Sequence, residues 1–224
     1  MITLTHYHTA CSTETELFDD IRFPQRVHWL PETYHKVHTG MHYPPHKLAH
    51  MALDQTTVNL IRDVPSKKTA FLLAGGNAHF AGINNKKSDS RLSYDFKFLP
   101  VTLTQVFAGR IGHLLKADDH IAADASACAS SLKTMMDVQT LIRHYEFDRV
   151  IVLGVEDAVS ASVLDFFGES GASLTAAREE ETGAVPSAFD DKNQGFYVGQ
   201  GAGLGAFHSL RAVNQLKMRP LATL

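Results

Sequence analysis

One thiol in this chain stands where chemistry is possible. Cys128 lies in the run Asp124-Ala125-Ser126-Ala127-Cys128-Ala129-Ser130-Ser131, and the hydrophobic pattern changes at it. Upstream, His120-Ile121-Ala122-Ala123-Asp124 reads as a short strand; downstream, Ser130 to Tyr145 carries Leu132, Met135, Met136, Val138, Leu141 and Ile142 at the spacing of one helix face. Strand, tight turn and helix therefore meet at the sulfur. The first backbone N–H groups of a helix are unpaired and its dipole is positive there, so a thiolate is favoured over a thiol and an oxyanion finds donors in place. The dipole contributes roughly 0.3–1 kcal/mol, which primes a sulfur without fully activating it, and a second group is expected to help. The competing reading is packing, since a free cysteine is among the most buried residue types.

Other residue sets offer less. Histidines concentrate at His28, His35, His38, His42, His46 and His50, and from His35 onward their spacings suit ligands on a helix face. Gly40 and Pro44-Pro45 interrupt such a helix and no cysteine or acidic cluster completes a site, so surface or packing roles are the better reading and no metal is expected. The series Gly199, Gly201, Gly203 and Gly205 is no dinucleotide fingerprint, because Leu204 occupies the place of the third glycine and Leu204, Ala206 and Phe207 continue as strand. No cofactor is implied. Alternating glycines bare one face of a strand for close packing against a neighbour or an acyl chain, and a structural role ranks ahead of ligand binding. Glu179-Glu180-Glu181 reads as a solvated charged loop without chemistry.

The elements that must position Cys128 follow from the rest of the pattern. Ile2-Thr3-Leu4-Thr5 suits an opening strand, whereas residues 9 to 45, broken by Pro24, Pro31, Pro44 and Pro45, read as loop and short helix. His46 to Ile61 fits an amphipathic helix ended by Pro65, and Thr69 to Ala74 a buried strand closing on Gly75-Gly76-Asn77. A polar, exposed stretch containing Asn84-Asn85-Lys86-Lys87 runs on to Pro100. Val101 to Leu115 reads as a helix whose Ala108, Gly109 and Gly112 permit close approach of another backbone. Arg149 to Val155 is an unbroken apolar run, as in strands covered on both faces, and Val159 to Phe167 a helix or turn. This alternation predicts a layered α/β architecture in one domain spanning 1–224.

Composition narrows the class. A chain of 224 residues with 44% hydrophobic and 20% charged residues can bury a sizeable core, and a formal charge of −3 argues against nucleic acid as the main partner. Two distant cysteines, Cys11 and Cys128, suit a reducing compartment rather than a disulfide framework. No apolar run reaches membrane-spanning length and the N-terminus lacks a signal-peptide layout, so a cytoplasmic protein is expected, with no membrane partner.

The run Ser126-Ala127-Cys128-Ala129-Ser130-Ser131, followed later by Ala188-Phe189-Asp190 and then by Gly195-Phe196-Tyr197-Val198-Gly199-Gln200-Gly201-Ala202-Gly203, closely resembles the β-ketoacyl synthases, the condensing enzymes of fatty acid and polyketide synthesis. The resemblance implies a thiolase-like half-fold of layered sheet and helices, the first of the family's two similar halves. It also implies that Cys128 takes the growing acyl chain as a thioester. Departures occur at His6-Tyr7-His8, where the family usually has a glycine-containing turn, at Gln200 in place of glutamate and at Asn193 in place of arginine. Losing both charges together leaves neither unpaired. The histidine pair and lysine of the family's second half, which serve decarboxylation of the malonyl unit and stabilise the developing negative charge, have no counterpart before Leu224.

The function so implied is that of a subunit of a heteromeric β-ketoacyl synthase, elongating acyl or polyketide chains on an acyl carrier protein by decarboxylative condensation. Its partner would be a full-length ketosynthase subunit, as for half-length relatives in bacterial type II polyketide systems that make aryl polyenes. The alternative is a non-catalytic, chain-length-factor-like subunit that shapes the tunnel of such a synthase. Retention of Cys128 favours the first reading and the missing histidines favour the second, while a portion of a longer synthase stays open. The resemblance further implies dimer pairing through His120 to Asp124, and apolar residues of Val101 to Leu115 are expected to influence product length.

Overall fold

A computed structural model describes residues 2–11, 14–19, 21–29, 55–62, 64–75 and 103–224. The parallel heart of the fold comes from its most apolar segments. Strand β4 (Thr69–Ala74) is buried along its whole length and pairs in parallel with β5 (His120–Asp124) on one side and β6 (Arg149–Asp157) on the other. The long strand β7 (Val198–Ser209) runs antiparallel to β6, placing Gly203 opposite Gly154 and Gly201 opposite Glu156. Strand β1 (Ile2–Cys11) then pairs antiparallel with β7 from Ile2↔Ser209 to Cys11↔Gly201, and the two-residue β8 (Ala222–Thr223) adds to β1.

Beyond Gly201, at its N-terminal end, β7 changes partner. There β3 (Gln25–Trp29) pairs in parallel with it at Val27↔Val198, and β2 (Glu14–Phe18) pairs antiparallel with β3. These strands correct the expectation of loop and short helix over the described part of residues 9 to 29, as does β1, which continues through His6-Tyr7-His8 to Cys11, while residues 30–45 lie outside the described residues. Pro24 sits immediately before β3, where a missing N–H is harmless, and β2 lies wholly ahead of it, so the two strands pair without interruption from Glu14↔Trp29 to Phe18↔Gln25. The hairpin has its own apolar support: Val27, Val198 and Phe18 pack with Ala158, Val159, Val163 and Leu164. Arg26 holds Glu179 through both carboxylate oxygens, Nε to Oε1 at 3.0 Å and to Oε2 at 3.2 Å. Burial, and after it the charge of Glu179, pushes the Tyr197 hydroxyl pKa up.

Helices cover both faces of the sheet, and α1 (Gln55–Arg62) and α2 (Thr104–Leu114) share one of them. Their Val58, Ile61, Phe107, Ala108 and Ile111 pack on Phe71, Leu73, Ile151, Leu153 and Leu204. Alternate residues of the same strands, Ala70, Leu72, Val150, Val152 and Phe207, face α3 (Ser130–His144) with its Val138, Leu141 and Ile142. This strict division of odd and even positions is the strand period acting on strands buried on both sides. The predicted helix over His46 to Ile61 is present from Gln55; residues 46–54 and the polar stretch 76–100 lie outside the described residues, as do His35, His38, His42, His46 and His50. Buried Arg149 donates to the carbonyls of Ile61 and Val64, tying the end of α1 to the start of β6, and burial lowers its pKa to about 10.

Three helices complete the described chain: α4 (Ala161–Glu169), α5 (Ala176–Thr182) and α6 (Leu210–Leu216). Helix α5 corrects the reading of Glu179-Glu180-Glu181 as loop. Thr175 caps it by accepting the Arg178 N–H, Glu179 complements the dipole in its first turn, and Gly183 ends it at φ 63°. A helix this short and charged carries no apolar stripe, so periodicity could not disclose it. Within α2, Gly112 is the position that brings helix and sheet together, since a Cβ there would lie 2.8 Å from Ile121 Cδ1 and 3.3 Å from Phe71 Cβ. The close approach is thus to side chains of β4 and β5, and Gly109 faces open space.

Candidate active site

The strand, turn and helix expected around Cys128 are all present. Strand β5 ends at Asp124, one turn of 3-10 helix spans Ala127–Ala129, and α3 begins at Ser130. Cys128 is the central residue of that single turn and is an exposed free thiol, not packed into the core of this chain. The turn is strained at the residue before it. Ala127 has φ 50°, a left-handed conformation that costs an L residue roughly 1–2 kcal/mol. Around it the donors and acceptors are spoken for: the Ser130 hydroxyl donates to the Ala127 carbonyl at 2.8 Å, and the Ala129 N–H to the Ser126 carbonyl at 3.1 Å. No side chain caps either the 3-10 turn or α3, and no acidic residue occupies the first turn of the helix, so the positive end of the dipole is left to whatever approaches the thiol.

Asp124 was not legible as part of this arrangement. Its side chain is buried, its Oδ1 accepts the Ser126 N–H at 2.9 Å, and its Oδ2 accepts from Lys133 Nζ on α3. The Lys133 ammonium first, and the Ser126 donors with it, lower the Asp124 carboxyl pKa to about 2 against the opposing effect of burial. Lys133 is pushed up in turn, chiefly by Asp124. An aspartate two residues before a serine is a weak sequence signal for such a turn, and its pairing with a lysine one strand-to-helix crossing away has none.

Cys128 opens on a cavity of about 620 Å³. One wall is α3 at Ser131 and Met135, and the floor is the sheet at Val152, Gly154, Gly203 and Gly205, reaching Leu4 and Phe207. Of the alternating glycines, read from sequence as structural ahead of ligand binding, Gly201, Gly203 and Gly205 therefore border the same space as the thiol. Their bare backbone keeps the floor low: at Gly154 the first atom a Cβ would meet is the Gly203 carbonyl oxygen, 3.8 Å away. Besides Cys128 itself, Glu156 is the one ionisable side chain among the described residues of the lining, which is otherwise apolar or small. No residue of α2 is among them, because that helix lies on the opposite face of the sheet. The expected influence of Val101 to Leu115 on product length therefore draws no support from the lining of this cavity.

Two further expectations meet the structure here. Asn193, in place of the family's arginine, sits in an exposed loop where its Oδ1 accepts the Ser187 N–H at 3.3 Å, while Gln200 stands within β7 opposite Asp157. The apolar stripe of α3 is only partly inward. Val138, Leu141 and Ile142 are buried, but Leu132 and Met136, one turn apart, are 70% and 62% exposed. They extend the apolar surface that starts at the cavity beside Met135.

Chemically, the site offers an exposed thiol at an uncapped helix start, above an apolar trough in the sheet. Among the described residues no helix is long and apolar enough to cross a membrane. A comparison with curated protein sequences finds no match. Among solved structures, the ishigamide ketosynthase/chain length factor superposes with a TM-score of 0.75 at 18% identity, over 98% of this chain and 60% of that one. A type II polyketide synthase acyl-carrier protein in complex with its ketosynthase bound to the hexaketide gives 0.73 at 14% identity, over 98% and 60%. The ketosynthase from module 6 of the bacillaene synthase from Bacillus subtilis 168 gives 0.69 at 16% identity, over 98% and 42%. The chain thus spans only part of the length of these relatives, and at such identities the likeness shows the fold, a thiolase-like half. Residues 47–210 match the model of the β-ketoacyl synthase N-terminal domain. That match covers well over half of the sequence, and the chain therefore belongs to the β-ketoacyl synthase family.

Proposed function

We propose that this protein is a subunit of a heteromeric β-ketoacyl synthase, in which Cys128 accepts acyl chains from an acyl carrier protein in the cytoplasm. The observation that carries the reading is the exposed Cys128 thiol at the mouth of an apolar cavity floored by glycine backbone. In the acyl-transfer step the thiolate attacks the carrier-bound thioester, a C–S bond forms at Cys128 Sγ, and the carrier's own thiol leaves with a proton. The start of α3 faces the charge that develops on the carbonyl oxygen. The exposed Leu132 and Met136 beside the site support a further polypeptide surface seated there, and a full-length ketosynthase subunit is the partner we assign to it. The likeness to a ketosynthase/chain length factor and to a ketosynthase in complex with its carrier protein supports the same assembly.

The test is Cys128→Ala in a complex reconstituted with a full-length ketosynthase and acyl carrier protein. Loss of nearly all elongation is expected, because removing a nucleophile abolishes the step it makes rather than weakening binding. Elongation that survives Cys128→Ala, with the partner's own cysteine essential, establishes the other reading, a non-catalytic chain-length-factor-like subunit.

A further inference from the structure

We propose that Asp124 and Lys133 are positioning residues that set the conformation of the turn bearing Cys128; the inference rests on the reading of Cys128 as the acyl acceptor. Neither residue is placed to touch substrate. Their effect is on the backbone that presents the thiol. The Asp124 carboxylate has two partners, and they flank Cys128 in the chain: the Ser126 N–H precedes it and the Lys133 ammonium follows it on α3. Asp124 itself is fixed by the sheet, since it pairs with Ala74 in the β4–β5 ladder and its carbonyl accepts the Gly75 N–H at 3.1 Å. One carboxylate therefore joins the strand end, the turn and the helix at a single point.

Such a joint has something to hold. Ala127 is left-handed without the freedom of a glycine, a conformation that persists only where the surroundings over-determine it. The Ser130 hydroxyl restrains it from the helix side and Asp124 from the strand side. The pair also differs from an ordinary surface ion pair in burial, for the Asp124 side chain is only 9% exposed and a carboxylate so placed needs its partners. Lys133 supplies one of them while remaining half in solvent, with Asp137 of the same helix as a second, weaker attraction. Were the pair a surface ornament, its removal would leave the thiol undisturbed.

The experiment measures the rate of iodoacetamide alkylation at Cys128, by mass spectrometry of its peptide, in the 224-residue chain and in Asp124→Ala, Asp124→Asn, Lys133→Met and Lys133→Arg. Urea midpoints are recorded alongside. Asp124→Ala, which removes both anchors, should slow alkylation about fivefold or more, and Asp124→Asn, which keeps an acceptor for the Ser126 N–H, should recover most of that loss. Lys133→Met should slow it less and Lys133→Arg restore it. Rescue by the conservative variant at comparable urea midpoints is what a merely structural role would not give. Alkylation of Asp124→Ala at the wild-type rate overturns the proposal. Should Asp124→Ala fail to fold, equal rates for Lys133→Met and Lys133→Arg, which alter only a solvent-facing side chain, overturn it instead. Alkylation needs no condensing activity, so a Cys128→Ala complex that still elongates would refute the catalytic reading while leaving this result intact.

Discussion

Filling the trough beside Cys128 is the sharpest way to test whether an acyl chain runs there. Gly154 is the position of choice, because its backbone is outside the left-handed region and a Cβ at that site meets nothing closer than the Gly203 carbonyl oxygen at 3.8 Å, an ordinary contact. Gly154→Val should therefore fold at least as well as the parent chain: strand propensity improves, and loss of glycine's freedom in the unfolded state adds about 0.4–1 kcal/mol. The isopropyl group enters a cavity of about 620 Å³ from its floor. Room for a single methylene in an apolar pocket is worth roughly 1–3 kcal/mol, so acyl chains long enough to pass Gly154 should load onto Cys128 about 10- to 200-fold more slowly, and acetyl groups at nearly the parent rate. The assay exposes both proteins to short and long acyl thioesters and follows acylation of the Cys128 peptide by mass spectrometry, with urea midpoints as the folding control. Unchanged loading of long chains in a folded Gly154→Val protein would refute the assignment of this trough as the acyl path.

Two further outcomes are expected. Because the folded Asp124 carboxyl is held near 2, below its ordinary 3.8, its ion pair and turn hydrogen bond stabilise the fold fully above about pH 4, and that contribution is lost as pH falls from about 4 through about 2. Asp124→Asn should thus lower the urea-derived stability at pH 6 by up to about 1 kcal/mol, as for a partly exposed pair, with the difference shrinking across that acid window; a difference independent of pH would count against the ion pair. On α3, replacing Leu132 and Met136 together by serine should cost the isolated chain no more than about 0.5 kcal/mol per site. Sedimentation with a full-length ketosynthase should show association weakened about tenfold or more, and equal affinity would mean that the face is not an interface.

How far the sequence disclosed this molecule depended on whether a segment's structure is written in its own periodicity. The β4 and β6 segments carry an apolar pattern that their burial repeats, and the positions of β4, β5, α3 and β6 agree with the sequence reading to within one or two residues. The β2–β3 hairpin does not. Its strands are short, flanked by Pro24 and Pro31, and exist because β3 finds β7 across most of the chain. Helix α5 depends on its caps rather than on a stripe, and α3 departs from its stripe at Leu132 and Met136 because nothing among the described residues covers them. At the site, the thiol and its turn were legible in small residues and a change of period. The bare glycine face of β7 was legible as a pattern but its place beside the thiol was not, and the Asp124–Lys133 joint was invisible, being a contact between a strand end and a helix that only the folded chain creates.

The placement of β1 sets the order in which this chain can fold. Residue 2 pairs with residue 209, so among the described strands β1 has no sheet partner until β7 has been made. The parallel core of β4, β5 and β6 with α2 and α3 can assemble earlier from segments closer in sequence, but β6 keeps an open edge until β7 arrives. Non-local pairing of this kind slows folding and leaves unpaired edges available to other chains. Strand β1, made well before β7, is fixed only once β7 is in place, and until then its unpaired edges need protection.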